Sequence, residues 1–369
     1  MLGIVRRILD HGRKYIDQNR RYIFPAIIVF GFVLDWLTLN RADQIFDNIV
    51  FITHIIITGL AIAMLYCAQY RDDYPLLVKY RSWITLLLLF SLGSLFSGFF
   101  VIYFRSASLA VSFPFFLAIL LLFSMTEWKK DIYTENLFPQ ILAYYLTIFL
   151  YLIFFVPIIL REISSFIFVI SGLTSLIFIF AYVFALQKLS RAGVDAIARR
   201  VKIGILVIFL SVNILYFTAV IPPIPLAIKT VGVYHEISRG ADNNYYGQYE
   251  RSRWYPIFSK TNNLHIYPGE DAYVFAAIFA PSRISTTLFH EWDWYDGGKR
   301  RWVLVNKIPI SITGGRDDGY RGFSKKTVLR DGAWRVRFTT TNGQVVGIYQ
   351  FSIETIDNDE KRKLKIEQL

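Results

Sequence analysis

The sequence predicts an α-helical transmembrane bundle of about seven spans, followed by an all-β, immunoglobulin-like antiparallel sandwich. Seven long apolar stretches fill roughly the first 230 residues and none follows them. The chain is 54% hydrophobic with a mean hydropathy of +0.40, yet its formal net charge is +12. Soluble domains rarely combine these values, whereas lipid-facing helices are apolar all round. Beyond about residue 231 the apolar pattern changes from helical to alternating, which indicates β-strands.

Each predicted span has about the 20 apolar residues that a bilayer crossing needs. The spans are Tyr22–Leu39, Phe46–Ala68, Trp83–Phe104, Ala107–Met125, Leu137–Leu160, Ser165–Leu186 and Ile203–Ala227. The third and fourth form either a tight hairpin or one broken segment, because they are separated by two residues, Arg105 and Ser106. Three prolines, Pro222, Pro223 and Pro225, are expected to end the last span, since proline cannot continue the helical hydrogen bonds.

The loops between these spans predict the orientation. Sixteen lysine and arginine residues lie in the amino-terminal segment and in the second, fourth and sixth loops, against three in the alternate loops. Positively charged loops stay in the cytoplasm. An odd number of spans then places the β domain outside the cytoplasm, so the loops predict a multi-pass protein of the cytoplasmic (inner) membrane.

The resulting domain organisation has four parts. Residues 1–21 form a basic amphipathic cytoplasmic segment, or equally a charged lead-in that obeys the same rule. Residues 22–228 form the transmembrane domain, 229–356 the extracytoplasmic β domain, and 357–369 a charged, frayed tail.

Composition and motifs exclude several classes of function. The single cysteine, Cys67, permits neither an intramolecular disulfide nor a cysteine-based metal site. The β domain lacks the clustered basic face of a nucleic-acid-binding protein. The sequence contains no phosphate-binding loop, nucleophile elbow, zinc-protease helix or dinucleotide fingerprint, so we expect no cofactor, no metal and, on balance, no enzyme.

Turn signals separate the predicted strands of the β domain. The strands are Val231–Ile237, Trp254–Ser259, Asn263–Tyr267, Ala272–Phe279, Thr286–Tyr295, Arg301–Ile310, Ser324–Leu329, Ala333–Thr339 and Val345–Glu354. Pairs such as Pro268-Gly269 and Asn342-Gly343 are typical of hairpin turns. Many short strands joined in this way predict an antiparallel sandwich.

The end of the chain also resembles a known family. The similarity lies in the segments Glu291–Gly297, Val305–Ile310, Gly314–Arg316, Tyr320-Arg321, Ser324–Lys326, Gly332–Val336, Asn342-Gly343 and Phe351. They follow the pattern of the bacterial domain of unknown function 2914: an aromatic strand, a polar loop ending in two basic residues, a Gly-x-Trp-Arg-Val strand and a closing hairpin. The strand after Arg300 is longer and more basic here. The resemblance implies a small β domain in a bacterial membrane or envelope protein, and it implies no activity.

Three polar residues of the predicted spans are candidates for a role in the membrane. Asp35 and His54 would lie at similar depth if their helices are antiparallel neighbours, and Asn213 lies in the last span. Intramembrane polar groups either form structural hydrogen bonds between helices or line a functional pathway. Both interpretations stay open, with the structural one favoured.

Two further groups are candidates outside the bilayer core. Arg105, Arg161 and Glu162 would lie at the outer membrane interface. The β domain concentrates aromatic residues at Trp292, Trp294, Tyr295 and Trp302, with Arg316 in a polar loop nearby. Strand alternation favours core packing for Trp292 and Trp294, and exposed aromatic residues of this group would stack on sugar rings or on a partner protein.

These observations favour a polytopic, non-enzymatic membrane protein whose β domain binds or organises an envelope protein or glycan. The lipid bilayer is its other partner, and a homo-oligomer is open. A transporter of ions, small molecules or lipids that uses Asp35 and His54 is an alternative. A membrane enzyme of envelope lipid or polysaccharide metabolism is another.

Overall fold

A computed structural model describes residues 32–33, 35–39, 43–71, 73–105, 109–128, 136–223, 225–250, 262–281, 284–314, 318–357 and 362–369. The main division of the chain falls between Ile221 and Pro222. A helical unit precedes this point and a β unit follows it.

The helical unit consists of long apolar helices. They are α1 (Ile45–Tyr70), α2 (Pro75–Lys79), α3 (Arg81–Arg105), α4 (Leu109–Trp128), α5 (Leu137–Leu160), α6 (Ser165–Leu189) and α7 (Arg191–Phe217). Among the described residues, five of these helices are long and apolar enough to cross a membrane: α1, α3, α5, α6 and α7. The prediction of long apolar helices in the amino-terminal part of the chain is therefore confirmed.

The predicted number of seven spans is not confirmed. The predicted first span lies largely outside the described residues, although residues 32–33 and 35–38 are helical. The predicted fourth span corresponds to α4, whose apolar part Val111–Leu121 is shorter than the other five spans.

The last helix ends earlier than its prolines predicted. Ala219 has a left-handed backbone with φ of 58°. The amide of Ala219 donates to Tyr216 O at 3.0 Å, and the amide of Val220 donates to Leu215 O at 2.9 Å. These two bonds form a Schellman motif, which satisfies the last carbonyl groups and stops α7 at Phe217 before Pro222 is reached.

Small residues allow close helix packing. A Cβ atom at Gly98 of α3 would lie 2.9 Å from Cζ of Phe51 on α1. The Phe51 ring stacks on Phe99 with centroids 5.1 Å apart. Packing is therefore the role of Gly98, as expected for a glycine in a membrane helix.

The β unit contains eleven described strands in three sheets. The strands are β1 (Ala227–Tyr234), β2 (Glu236–Arg239), β3 (Tyr245–Glu250), β4 (Asn263–Ile266), β5 (Ala272–Phe279), β6 (Ser285–Asp296), β7 (Arg301–Thr313), β8 (Tyr320–Lys326), β9 (Gly332–Thr340), β10 (Val345–Thr355) and β11 (Leu364–Gln368). Their orders are β1-β5-β8, β4-β10-β9-β6-β7 and β11-β3-β2.

Strand β5 lies in the middle layer and is buried on both faces. Val274, Ala276 and Ile278 join the main core with residues of the five-stranded sheet. Phe275 and Ala277 join a second core with Tyr234 and Ile237. Burial on both faces explains why β5 is a nearly continuous apolar run rather than an alternating one.

Several predictions for the β unit need correction. An immunoglobulin-like sandwich is not confirmed, because there are three sheets and β10 pairs with β4 in parallel. The tail was expected to fray, but Leu364–Gln368 pairs with β3. The hydroxyl of Tyr234 donates to Glu367 Oε1 at 2.7 Å and helps to hold this strand. The predicted strand Trp254–Ser259 lies outside the described residues.

A buried polar group stands at the centre of the main core. The Nε1 atom of Trp292 donates to Ser324 Oγ at 2.9 Å, and the same oxygen lies 2.9 Å from Nδ1 of His290. The Ser324 oxygen has two lone pairs and one proton, so it can accept from the indole and bond Nδ1 of a neutral His290 ring in either tautomer. Burial lowers the pKa of His290 from 6.5 to about 4.

This buried imidazole predicts acid-sensitive folding. Unfolded His290 takes up a proton below its ordinary pKa of 6.5, whereas the folded side chain stays neutral down to about pH 4. The β unit should therefore keep its full stability above about pH 6.5 and lose on the order of 3 kcal/mol by pH 4 from this group. Urea unfolding of the full-length protein in detergent, followed by tryptophan fluorescence from pH 7.5 to pH 4, measures the loss. His290→Gln should reduce the slope of the free energy of unfolding against pH over this interval. An unchanged slope would contradict the assignment of the acid sensitivity to His290.

Candidate ligand-binding face

The structure gives Asp35 and His54 different neighbours. Ser97 of α3 donates a hydrogen bond to Asp35 Oδ2. The His54 ring instead packs against Phe90 of α3, with centroids 5.7 Å apart. Ser97 and Phe90 are two helical turns apart, about 10 Å along α3. Their described contacts therefore do not bring Asp35 and His54 together, and a shared pathway gains no support from them.

Among the described residues, Asn213 bonds within its own helix and not between helices as expected. Its Nδ2 atom donates to Phe209 O of the same helix at 2.8 Å. Tyrosine hydroxyls make further bonds between helices. Tyr103 of α3 donates to Leu150 O of α5 at 3.0 Å, and Tyr182 of α6 donates to Gly59 O of α1 at 2.7 Å.

The predicted outer-interface residues are not assembled into a site by their described contacts. Arg161 follows α5 with φ of 59°, and both Arg161 and Glu162 are exposed. The side chain of Arg105 and the whole of Arg316 lie outside what the structure describes.

The predicted aromatic group divides between core and surface. Trp292 is fully buried and packs edge-to-face on Trp334, with centroids 6.3 Å apart. Trp294 is half-buried, and its Nε1 atom donates to Asp331 O at 3.1 Å. Core packing is therefore right for Trp292, and only Tyr295 and Trp302 of the predicted group belong to the opposite face of the sheet.

That opposite face of the five-stranded sheet, called the outer face below, is assembled by strand pairing. Glu291 of β6 lies opposite Lys307 of β7, and Tyr295 lies opposite Trp302. Paired residues of antiparallel strands share a face. The register shifts at Asp293, which pairs with Leu304 and leaves Val305 of β7 as an extra residue. Without this bulge, Trp302 and Lys307 would point to opposite faces, because they are an odd number of residues apart.

A buried carboxylate organises the charged side chains of the outer face. Asp293 Oδ2 accepts from Arg335 Nε at 2.8 Å and from Arg337 Nε at 2.7 Å. The Asp293 side chain is 2% exposed. Glu291 receives Arg337 Nη2 at 2.9 Å and Lys307 Nζ at 3.0 Å. Burial by itself would lower the pKa of Arg337, but its bond to Asp293 and the charges of both acids raise it.

Arg335 joins this charged network to the aromatic residues. Its guanidinium carbon lies 4.5 Å from the ring centroid of Trp302. Trp302 in turn packs edge-to-face on Tyr295, with centroids 5.3 Å apart. Arg335 bonds Asp293 through Nε. Its two terminal amino groups have no hydrogen-bond partner among the described residues. The outer face therefore offers an aromatic pair beside free hydrogen-bond donors.

A signal for this network was present in the sequence. Glu291 and Asp293 alternate on one strand, and Arg335 and Arg337 alternate on another. Two strands with opposite charges at the same period are expected to pair. The prediction for this region rested on its tryptophans and left out the acids between them.

A second cluster of titratable groups was also missed. Glu250 Oε1 lies 2.8 Å from His235 Nε2, and Glu250 Oε2 lies 2.6 Å from His265 Nδ1. Glu270 receives Arg362, whose Nη1 also donates to His265 O at 2.7 Å. Burial by itself would raise the pKa of Glu250, but the hydrogen bonds from both histidines hold it below its usual value. The cluster joins the part of the chain between β1 and β5 to the segment before β11, and it stabilises this part of the β unit.

Metal binding finds no support in this cluster. Within the described ranges, no group of three or more His, Cys, Asp and Glu side chains is arranged to hold a metal ion.

Comparison with known proteins finds one family model that matches part of the chain. Residues 285–353 match the family described as "Protein of unknown function (DUF2914)". The match covers β6 to β10, including Asp293, Trp302 and Arg335, and confirms the resemblance found in the sequence. No curated protein matches the chain.

Similarity to solved structures is low. The chain matches a β-glucosidase from Listeria innocua in complex with glucose with a TM-score of 0.19 and 14% identity, over 30% of this chain and 16% of that one. A β-glucosidase from Kluyveromyces marxianus gives 0.18 and 8%, over 28% and 14% of the two chains. An alkylpurine DNA glycosylase from Pseudomonas fluorescens, bound to DNA, gives 0.23 and 10%, over 86% and 100%. At these TM-scores the matches carry no argument about fold or function.

The charged network makes a testable prediction about stability. Asp293→Ala should lower the free energy of unfolding by about 3–5 kcal/mol, because Arg335 and Arg337 would lose the buried charge that they share. Urea unfolding of the full-length protein in detergent, followed by tryptophan fluorescence, measures the change.

Lys307→Ala is the matched control for the same network. Its side chain is 44% exposed, so its loss should lower the free energy of unfolding by less than about 1 kcal/mol. Equal losses in the two variants would contradict the organising role of Asp293.

Proposed function

We propose that this protein is a polytopic protein of the bacterial cytoplasmic membrane that presents its β unit outside the cytoplasm and binds an envelope glycan there. Five apolar helices support membrane residence. The excess of lysine and arginine in alternate loops, sixteen against three, supports the orientation. The family match is to a protein of unknown function, so it assigns no activity to the chain.

The observation that carries the glycan proposal is the aromatic pair on the outer face. Tyr295 is 36% exposed and Trp302 is half-buried, and both stand on a rigid, paired hairpin. A sugar ring has an apolar face that stacks on an aromatic ring and hydroxyl groups that take hydrogen bonds. Rigid aromatic side chains give contact area at little entropic expense.

Polar side chains of β10, two strands away from Tyr295 on the same sheet, suit the hydroxyl groups of a sugar. Gln350 of β10 is exposed and lies opposite Arg335. Ser352 lies two pairs further along the same strands, opposite Ala333, and its Oγ bonds Asn263 Oδ1 at 2.5 Å. An aromatic pair that shares one open sheet face with amide and hydroxyl groups favours a chain of sugars over an apolar protein segment.

The other two classes of function have weaker support. A transporter pathway would use Asp35 and His54, whose described neighbours are Ser97 and Phe90. A membrane enzyme would need polar groups converging at the outer interface, where Arg161 and Glu162 are exposed.

The orientation is tested with a reporter enzyme that is active only outside the cytoplasm. Fused after Leu369, it should be active in living cells. Fused after Pro75, in the loop predicted to be cytoplasmic, it should be inactive. The reverse pattern would overturn the proposed location and with it the role in the envelope.

Glycan binding is tested on the full-length protein in lipid nanodiscs. The probes are hexamers of β-1,4-linked mannuronate and of β-1,4-linked mannose, which share ring geometry and linkage. At least one hexamer should bind, and Trp302→Ala should weaken that binding about tenfold or more through loss of the stacking surface. Val328→Ala is the control, because Val328 is 69% exposed outside the outer face. Binding of neither hexamer, or an equal loss in both variants, would overturn the proposal.

A further inference from the structure

We infer that the glycan bound by the outer face is acidic, and that Arg335 recognises a carboxylate of a sugar stacked on Trp302. This inference rests on the proposed function and names the chemical class of its ligand. It begins from the charge of the network, which contains three cations, Lys307, Arg335 and Arg337, and two acids, Glu291 and Asp293.

The three cations of this network differ in how many of their hydrogen-bond donors are bonded to the two acids. Arg337 uses Nε and Nη2 on Asp293, and Nη2 also reaches Glu291. Lys307 is paired with Glu291 and lies 4.4 Å from the Phe289 ring centroid. Arg335 gives Asp293 its Nε alone. The network therefore has one more positive charge than negative charges, and the unused guanidinium donors beside this excess charge belong to Arg335.

The geometry of Arg335 suits a carboxylate. Nε is held by Asp293, which fixes the plane of the guanidinium and leaves Nη1 and Nη2 as a fork. Such a fork binds the two oxygens of a carboxylate in a bidentate manner. The guanidinium also lies over one face of the Trp302 ring, so a ligand group at the fork is beside the pair that Trp302 forms with Tyr295.

This arrangement selects against neutral sugars. A hydroxymethyl group offers one oxygen and no charge where a uronic acid offers two oxygens and a negative charge. Because the guanidinium is held in place in advance, little conformational entropy is lost when the carboxylate binds. The Asp293–Arg335 pair is therefore a positioning device as well as a source of stability.

The matched hexamers separate this inference from the proposed function. Wild-type protein in nanodiscs should bind hexamannuronate at least about tenfold more tightly than mannohexaose. Arg335→Gln should remove that preference, and Arg335→Lys should restore part of it, because lysine keeps the charge but lacks the fork. Arg337 stays on Asp293 in both variants, and thermal unfolding checks that each one folds.

Each outcome has a distinct meaning. If both hexamers bind equally and Trp302→Ala weakens both, the glycan function stands and the acidic specificity is overturned. If neither binds, the proposed function itself fails. A third probe, a hexamer of glycerol phosphate, carries charge without a sugar ring. If it binds as tightly as hexamannuronate and independently of Trp302, the surface binds polyanions and the sugar-specific inference is overturned.

Discussion

The carboxylate of Asp293 is the interaction on which the outer face of the β unit depends. Two arginines on the neighbouring strand donate to one of its oxygens, at 2.8 and 2.7 Å. An ionised carboxylate with so little exposure is stable only when it is paired and hydrogen-bonded. In satisfying this carboxylate, Arg335 and Arg337 are held flat on the sheet instead of extending into solvent. The same bonds therefore stabilise the sheet and orient Arg335 beside Trp302.

The bulge in β7 is the second requirement for the outer face. The extra residue, Val305, changes the phase of the strand between Lys307 and Trp302. On one side of the bulge the outward side chains form ion pairs, and on the other side they form the aromatic pair. Bulges re-aim side chains in this way near functional sites. Charge and aromatic surface thus come together on one face although the strand alternation alone would separate them.

The opposite face of the same strands has a structural role. Trp292, His290 and Ser324 form a hydrogen-bonded group in the main core, and β5 closes that core from the middle layer. Packing of this kind leaves the outer face on a rigid support, since each strand that carries it is anchored by large buried side chains. Rigid support is what a binding face needs in order to hold aromatic rings and a guanidinium in a fixed relation.

The positions of most long helices in the helical unit could be predicted from the sequence. Leu137–Leu160 was predicted at its observed bounds, because a bilayer requires a continuous apolar run and the sequence displays it directly. The end of α7 was missed, because Ala219 stops the helix through a backbone conformation that alanine seldom adopts. Polar contacts between helices were also missed, since tyrosine hydroxyls reach backbone carbonyls that no pattern marks.

In the β unit, local patterns determined the strands, while pairing between distant strands determined the site. Alternation and turn residues were enough to locate β6, β9 and β10, and a short apolar run between turn residues was enough for β5, because these signals act within a few residues. The parallel pairing of β4 with β10 and the docking of β11 on β3 join segments far apart in the chain, and such pairings leave no local signature. By itself, then, the sequence determined a membrane region followed by a β domain. Only the tertiary structure decided that Arg335 lies over Trp302, because that contact depends on strand order, register and one bulged residue.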